Sequence, residues 1–270
     1  MKHPAHKRLC ALTALLMALM MAALPIQAAE VNRLEKIKAD GKIVMVTSPD
    51  YAPYEFLDQQ GNPVGADISL GQHIAQQLGV ELVIDPMDFD TVLAAIVTGK
   101  ADMGIAGMVP KEERKETMDY TDIYYNDGDQ VLVILKEKAE SLKTLSDFAG
   151  KTVAAQNGTL QQQLVTEQIP DATMEPIVKI PDAIMMVMTG KVDGVALASV
   201  VADQYVANYP DLTICETRFE YASLGVAIGV PKGNSELLDA LNTIVKDVLD
   251  KGLYNQWMQE AVELSNSLSQ

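Results

Sequence analysis

Two similar phrases of nine residues stand in this chain, TGKADMGIA at 98–106 and TGKVDGVAL at 189–197, offset by 91 residues. Each copy reads as a helix ending at glycine, a basic turn residue and a short strand. The surroundings repeat as well. KIVMVTS (42–48), GADISLGQHIAQQLG (65–79), VELVID (80–85), FDTVLAAIVTG (89–99) and ADMGIAG (101–107) alternate strand and helix patterns. KTVAAQ (151–156), TLQQQLVTEQI (159–169), TMEPIVKI (173–180), PDAIMMVMTG (181–190) and KVDGVALA (191–198) do the same. The order β-α-β-α-β specifies a parallel sheet with helices on its faces. Two copies specify two α/β lobes of about 100 residues each. After DLTICE (211–216) the chain ends in two amphipathic helices, SELLDALNTIVKDVLDKG and LYNQWMQEAVELSNSL. No Gly/Ser linker separates the lobes. The crossovers are expected to be strands, near NDGDQVLV (126–133) and YASLGVAI (221–228).

The first residues are expected to lie outside the fold. Lys2, Lys7 and Arg8 precede an uncharged apolar run, Leu9 to Leu24, which Pro25 ends and IQAAE follows. This reads as a secretory signal peptide over residues 1–29, cleaved near Ala28 or Ala29. The run is short for a membrane span, which takes about 20 residues. Removing it takes away three cations and no acid, so the formal charge of −16 becomes −19. A chain this acidic carries no footprint for nucleic acid or anionic lipid. Cys10 lies in the same segment, which leaves Cys215 alone and excludes an intrachain disulfide. Of the three histidines only His73 remains, without a Cys or His near it, so neither a zinc site nor a His-based catalytic set is expected. Phosphate-binding glycine motifs are missing as well. No metal and no cofactor are expected.

In open α/β sheets, ligands bind at the C-terminal ends of the strands. The repeat places Gly107 and Ala198 at two such ends, and Ser48 and Gln156 at two more. Arg114 follows seven residues after Gly107, inside the charge cluster Lys111–Glu112–Glu113–Arg114–Lys115–Glu116. A guanidinium there can fork onto a carboxylate, or it can pair at the surface with Glu112 or Glu113. Lys111, Glu112, Lys115 and Glu116 are expected to face water. NGTLQQQ (157–163) sets a helix N-terminus with Thr159 near its cap, where free N–H groups favour an anion. Together these suit a small carboxylate.

The mature chain resembles the periplasmic amino-acid-binding proteins of ABC importers, the bacterial extracellular solute-binding family 3. YAPYEF (51–56), GNPVGADISLGQHIAQQLG (61–79), MDFDTVLAAIVTGKADMGIAGM (87–108), EERKETMDYTDIYY (112–125), GTLQQQ (158–163) and GKVDGVAL (190–197) fall in that family's order and spacing. The resemblance implies two Rossmann-like lobes joined by a two-strand hinge, the type II periplasmic binding protein fold. It implies lobe 1 from 30–125 plus 226–270, lobe 2 from 131–221, and hinges near 126–130 and 222–225. It implies that Arg114 and Thr159 hold a ligand carboxylate beside the backbone of Gly107 and Val109, and that Tyr51 and Phe89 sandwich the ligand side chain. It implies a periplasmic monomer that binds an amino acid or related carboxylate for a membrane-embedded ABC permease, without a membrane anchor of its own.

Three positions depart from the family pattern. Val109 stands where the family usually has Ser or Thr, and Ala198 where it usually has Asp; both partners of an α-ammonium are missing. Ser48 stands where members taking cationic ligands often have Asp. Leaving a buried ammonium without its partner costs roughly 2–5 kcal/mol. Either Glu55 or Asp50 replaces the charge, or the ligand has no ordinary free α-amine. An enzymatic alternative exists, because periplasmic dehydratases of prephenate or arogenate resemble this fold; Glu55 is the candidate general acid for it.

Overall fold

The computed structural model describes residues 32–268. The signal-peptide reading of residues 1–29 lies outside the described residues.

The repeated phrase has one structural meaning in both places. Helix α3 (Phe89–Val97) follows strand β4 (Glu81–Pro86), and helix α5 (Ile180–Met188) follows strand β9 (Thr173–Ile177). Thr98 and Thr189 close these helices, and Gly99 and Gly190 both take φ of 69°. In each case the glycine N–H bonds Ile96 or Val187, and the following lysine N–H bonds Ala95 or Met186. This is a Schellman ending, in which glycine accepts the left-handed conformation without Cβ cost. The aspartate two residues further on then takes a strand N–H: Asp102 from Val44 at 2.8 Å, Asp193 from Thr152 at 3.0 Å. A cation neutralises each aspartate, Arg33 for Asp102 at 2.8 Å and Lys138 for Asp193 at 2.9 Å.

Those strands organise two sheets of matching order. In the first, β1 (Lys42–Thr47) lies parallel between β4 and β5 (Met103–Gly104); β12 (Gly229–Pro231) and β6 (Met118–Tyr120) follow antiparallel, giving β4-β1-β5-β12-β6. In the second, β8 (Thr152–Gln156) lies parallel between β9 and β10 (Gly194–Ala198); β7 (Gln130–Leu135) and β11 (Leu212–Arg218) follow, giving β9-β8-β10-β7-β11. The equivalent fourth strands are exchanged. β7 enters the second sheet just after the chain leaves the first, and β12 enters the first just after the chain leaves the second. The buried faces of β1, β7, β8 and β10 supply the two cores.

The chain therefore crosses between the sheets twice. The two crossings touch through an isolated antiparallel bridge, Tyr125 with Val226, and through Ser223, which donates to Asp127. Residues 126–129 and 219–225 are not regular strand, although strands were expected there. The sequence pattern also missed helix α6 (Ser199–Asn208), whose SVVADQYVAN mixes polar and apolar residues without a clean stripe. The terminal helices α7 (Ser235–Asp250) and α8 (Leu253–Leu268) pack back on the first sheet's side, around Leu237, Leu241, Val245, Tyr254 and Met258. Cys215 is buried in β11, its thiol donating to the Leu142 carbonyl at 2.9 Å.

Candidate ligand site

The strand ends of the two sheets face each other across a cavity. Ser48, Tyr51, Glu55, Phe89, Gly107, Val109, Arg114 and Thr159 all line it, with Asp50, Ala106, Gln156, Leu160 and Gln161. Eight of the nine expected site residues are thus brought together. The ninth, Ala198, ends β10 but does not line the cavity, because Tyr51 covers it: its N–H donates to the Tyr51 hydroxyl at 3.3 Å. The enclosed space is about 20 Å³, roughly room for one water. The lobes are shut on one another.

Three contacts bridge the lobes at the cavity. Asp50, from the loop after β1, accepts from the N–H of Ile180 at 2.9 Å and from Gln156 Nε2 at 3.0 Å, both on the second lobe. Its other oxygen accepts from Ser48 at 2.9 Å. The Asp50 carboxylate sits at the first turn of α5, where the helix dipole favours an anion. Burial nevertheless raises its pKa, and those hydrogen bonds oppose the rise. Tyr51 is the second contact, and its hydroxyl also accepts from Gln161 at 3.4 Å. The third is Arg114, which donates to the Gly158 carbonyl.

Arg114 lies on a short 3₁₀ helix, Glu112–Glu116. The surface-pair reading of this residue does not hold: Glu113 pairs with Lys111 at 2.5 Å and Glu112 with Lys115 at 2.6 Å. Among the described residues no carboxylate pairs with Arg114. Lys111 differs from expectation, because its side chain is only 11% exposed against Glu113. It lines the outer mouth of the cleft with Arg114, Gly158 and Thr159.

Thr159 caps helix α4 (Leu160–Gln168): its hydroxyl accepts from Gln162 N–H at 3.2 Å and donates to the Gln156 carbonyl at 2.6 Å. The first-turn N–H groups of a helix have no intrahelical acceptor, and here they open beside Arg114. Phe89 begins α3 and serves two purposes, lining the cavity and packing with Val46, Val92 and Ile96. Tyr51 stacks on Tyr54 with centroids 5.7 Å apart.

Glu55 is fully buried at the cavity wall, and no hydrogen-bond donor reaches either of its oxygens. Burial first, and then the neighbouring Asp67, hold its carboxyl protonated well above the usual carboxylate range. Asp67 was not anticipated from sequence. It sits in the first turn of helix α2 (Ala66–Leu78) and accepts from Gly107 N–H at 2.8 Å, Tyr124 at 3.0 Å and Tyr254 at 2.6 Å. It therefore fixes Gly107, whose φ of 53° lets it turn at the cavity. Its only sequence signal was an aspartate at a helix start. Gln161 links the cavity to the crossings: Gln161 bonds Gln130 at 2.7 Å, Gln130 bonds Asp127 at 2.8 Å, and Asp127 accepts from Ser223.

A model of the family described as bacterial extracellular solute-binding proteins, family 3, matches residues 43–261. The arginine-binding extracellular protein ArtP of Bacillus subtilis (strain 168) is 30% identical over 216 residues, which is 78% of this chain and 82% of that one. An amino acid ABC transporter substrate-binding protein of Streptococcus pneumoniae, solved bound to L-arginine, superposes with a TM-score of 0.82 at 32% identity; the match covers 86% of this chain and 98% of that one. An ancestral amino acid-binding protein described as a precursor of cyclohexadienyl dehydratase superposes at 0.79 with 28% identity, covering 85% of this chain and 99% of that one.

Proposed function

The chain belongs to the bacterial extracellular solute-binding proteins, family 3, and we propose that it captures a cationic amino acid such as arginine, or a close derivative, between its lobes for an ABC importer. One observation carries this reading. The cavity wall presents a guanidinium with no carboxylate partner, Arg114, and a fully buried carboxyl with no donor, Glu55. Buried polar groups are almost always satisfied, so a ligand with one anionic and one cationic end fits what both lack. Two of the named relatives support the choice, since one is described as an arginine-binding protein and the other is a substrate-binding protein solved bound to L-arginine.

In this reading Arg114 takes the ligand carboxylate through two N–H donors, helped by the α4 N-terminus under Thr159. Glu55 meets the cationic end, and Tyr51 and Phe89 flank the chain between, where aromatic faces attract a cation. Asp50 latches the lobes. The hinges lie at the two crossings, and the protein acts as an exported monomer beside a membrane-embedded permease. No helix among the described residues is long and apolar enough to cross a membrane.

The α-amine has no carboxylate from Ala198 and no hydroxyl from Val109. Titration calorimetry with L-arginine, L-citrulline, L-glutamine and 5-guanidinopentanoate, which lacks the amine, reads each end separately. Saturable binding of arginine, at least tenfold tighter than citrulline, is expected. A loss of less than about tenfold on removing the amine, about 1.4 kcal/mol, shows that the α-ammonium is not a main anchor. Failure of every amino acid to bind, or turnover of prephenate, overturns the reading.

A further inference from the structure

Glu55 and Asp67 are both fully buried; they are neighbours whose carboxyl groups act on one another, and neither Glu55 oxygen has a hydrogen-bond partner. Two ionised carboxylates can only accept, so the pair can share a hydrogen bond only while one of them is protonated. Burial raises the Asp67 carboxyl too, but Gly107 N–H, Tyr124 and Tyr254 all donate to it and oppose the rise, so Glu55 is the better place for a proton. Glu55 has no donor but itself. The charged groups acting on Glu55 are both acids, Asp67 from α2 and Asp50 from its own loop. Tyr51 and Tyr54 from that loop, Tyr124 from the first crossing and Tyr254 from α8 lie around the pair, burial raises all four phenols, and Asp127 of the first crossing acts on Tyr51 and Tyr54. Arg114 lines the same cavity but is committed to Gly158.

We propose that Glu55 and Asp67 share one proton in the unliganded protein, and that a cationic ligand group docking on Glu55 drives that proton into solvent. The coupling rests on the reading above of Glu55 as partner of the ligand's cation. A guanidinium cannot stay beside a neutral carboxyl and a single buried negative charge as favourably as beside two ionised carboxylates. Like-charge repulsion, which keeps one carboxyl of such a pair protonated, is cancelled by the incoming cation.

The sign of the pH dependence follows. The ligand selects ionised Glu55, and the free protein holds Glu55 protonated below its raised pKa. Affinity therefore rises with pH, by at most about tenfold per unit, and levels off once pH passes the free protein's pKa. A neutral carboxyl donating to a neutral ligand acceptor gives no such slope and no proton release.

Two measurements on the whole mature protein test this. Infrared spectroscopy of the unliganded protein at neutral pH should show a protonated carboxyl band that shifts on ¹³C-labelling of glutamate, not of aspartate, and disappears in Glu55→Gln. Because labelling uses the unmodified sequence, the result stands even if Glu55→Gln folds poorly. Calorimetry with L-arginine in buffers of different ionisation enthalpy, between about pH 5.5 and 7 where the ligand itself does not titrate, should report close to one proton released. A missing band, or one that follows aspartate labelling, overturns the shared proton. Binding of L-arginine without proton release, or with affinity falling as pH rises, overturns the coupling. A band with the expected labelling but no arginine binding leaves the shared proton standing and removes the cationic-ligand reading instead.

Discussion

Arg114 shows how a single residue is decided by what its neighbours do. From the charge cluster alone it could pair at the surface or turn inward. Lys111 and Lys115 take up the two nearby glutamates, so the guanidinium is left for the cavity. Replacement tests the role. Arg114→Ala should lose roughly 2–5 kcal/mol of ligand binding with little change in the unfolding temperature of the unliganded protein. Arg114→Lys keeps the charge but not the planar fork, so it should recover only part of the loss. Normal binding by Arg114→Ala, or its failure to fold, would make Arg114 a structural residue. Lys111, expected in solvent, is instead largely covered against Glu113, its side chain 11% exposed; the local pattern cannot show that the 3₁₀ helix lies against the mouth of the cleft. Ala198 was legible as a strand end, but its cover by Tyr51 depends on a loop from the other lobe. Glu55 was legible as a candidate only by position, since its lack of donors arises where α2 meets the loop.

At the scale of elements, that meeting is built by hydrogen bonds to a helix start. The N–H groups of Ala66 and Asp67 donate to the carbonyls of Pro53 and Tyr54 at 3.1 and 2.9 Å. The orphan donors of α2 thus dock the helix on the loop carrying Tyr51 and Glu55, and set Asp67 against Glu55. The docking requires Gly65, with φ of 124°; a Cβ there would stand 2.3 Å from the Tyr54 carbonyl oxygen. Gly65→Ala should destabilise by about 1–3 kcal/mol or more, lowering the melting temperature by several degrees. Gly233, with φ of 81° but open space around it, is the control: Gly233→Ala meets only the backbone cost and should shift melting less. Equal shifts would mean that the close approach at Gly65 relaxes freely. The helix endings, by contrast, were readable directly from Thr-Gly-Lys, whereas the aspartate two residues further on was not read as the acceptor of a strand N–H.

On the scale of the whole molecule, the sequence shows two lobes because each β-α-β-α-β copy carries its own periodicity. It does not show which strand completes which sheet. β12 is three residues long and pairs with β5 only through Gly229 and Gly104, a contact set by tertiary exchange and not by local pattern. The exchange has a consequence for function. Two crossings alone join the lobes' sheets, and Asp127 on one accepts from Ser223 on the other while Gln130 and Gln161 continue the network to Tyr51 in the cavity. The two crossings and the cavity are thus linked by one connected set of polar groups. A crystal structure of the mature protein saturated with L-arginine examines the whole account at once. It should show the ligand between the lobes, its carboxylate forked on Arg114 and its guanidinium within hydrogen-bond distance of Glu55. Arginine bound outside the cleft, or lying in it with the carboxylate away from Arg114, would contradict the account.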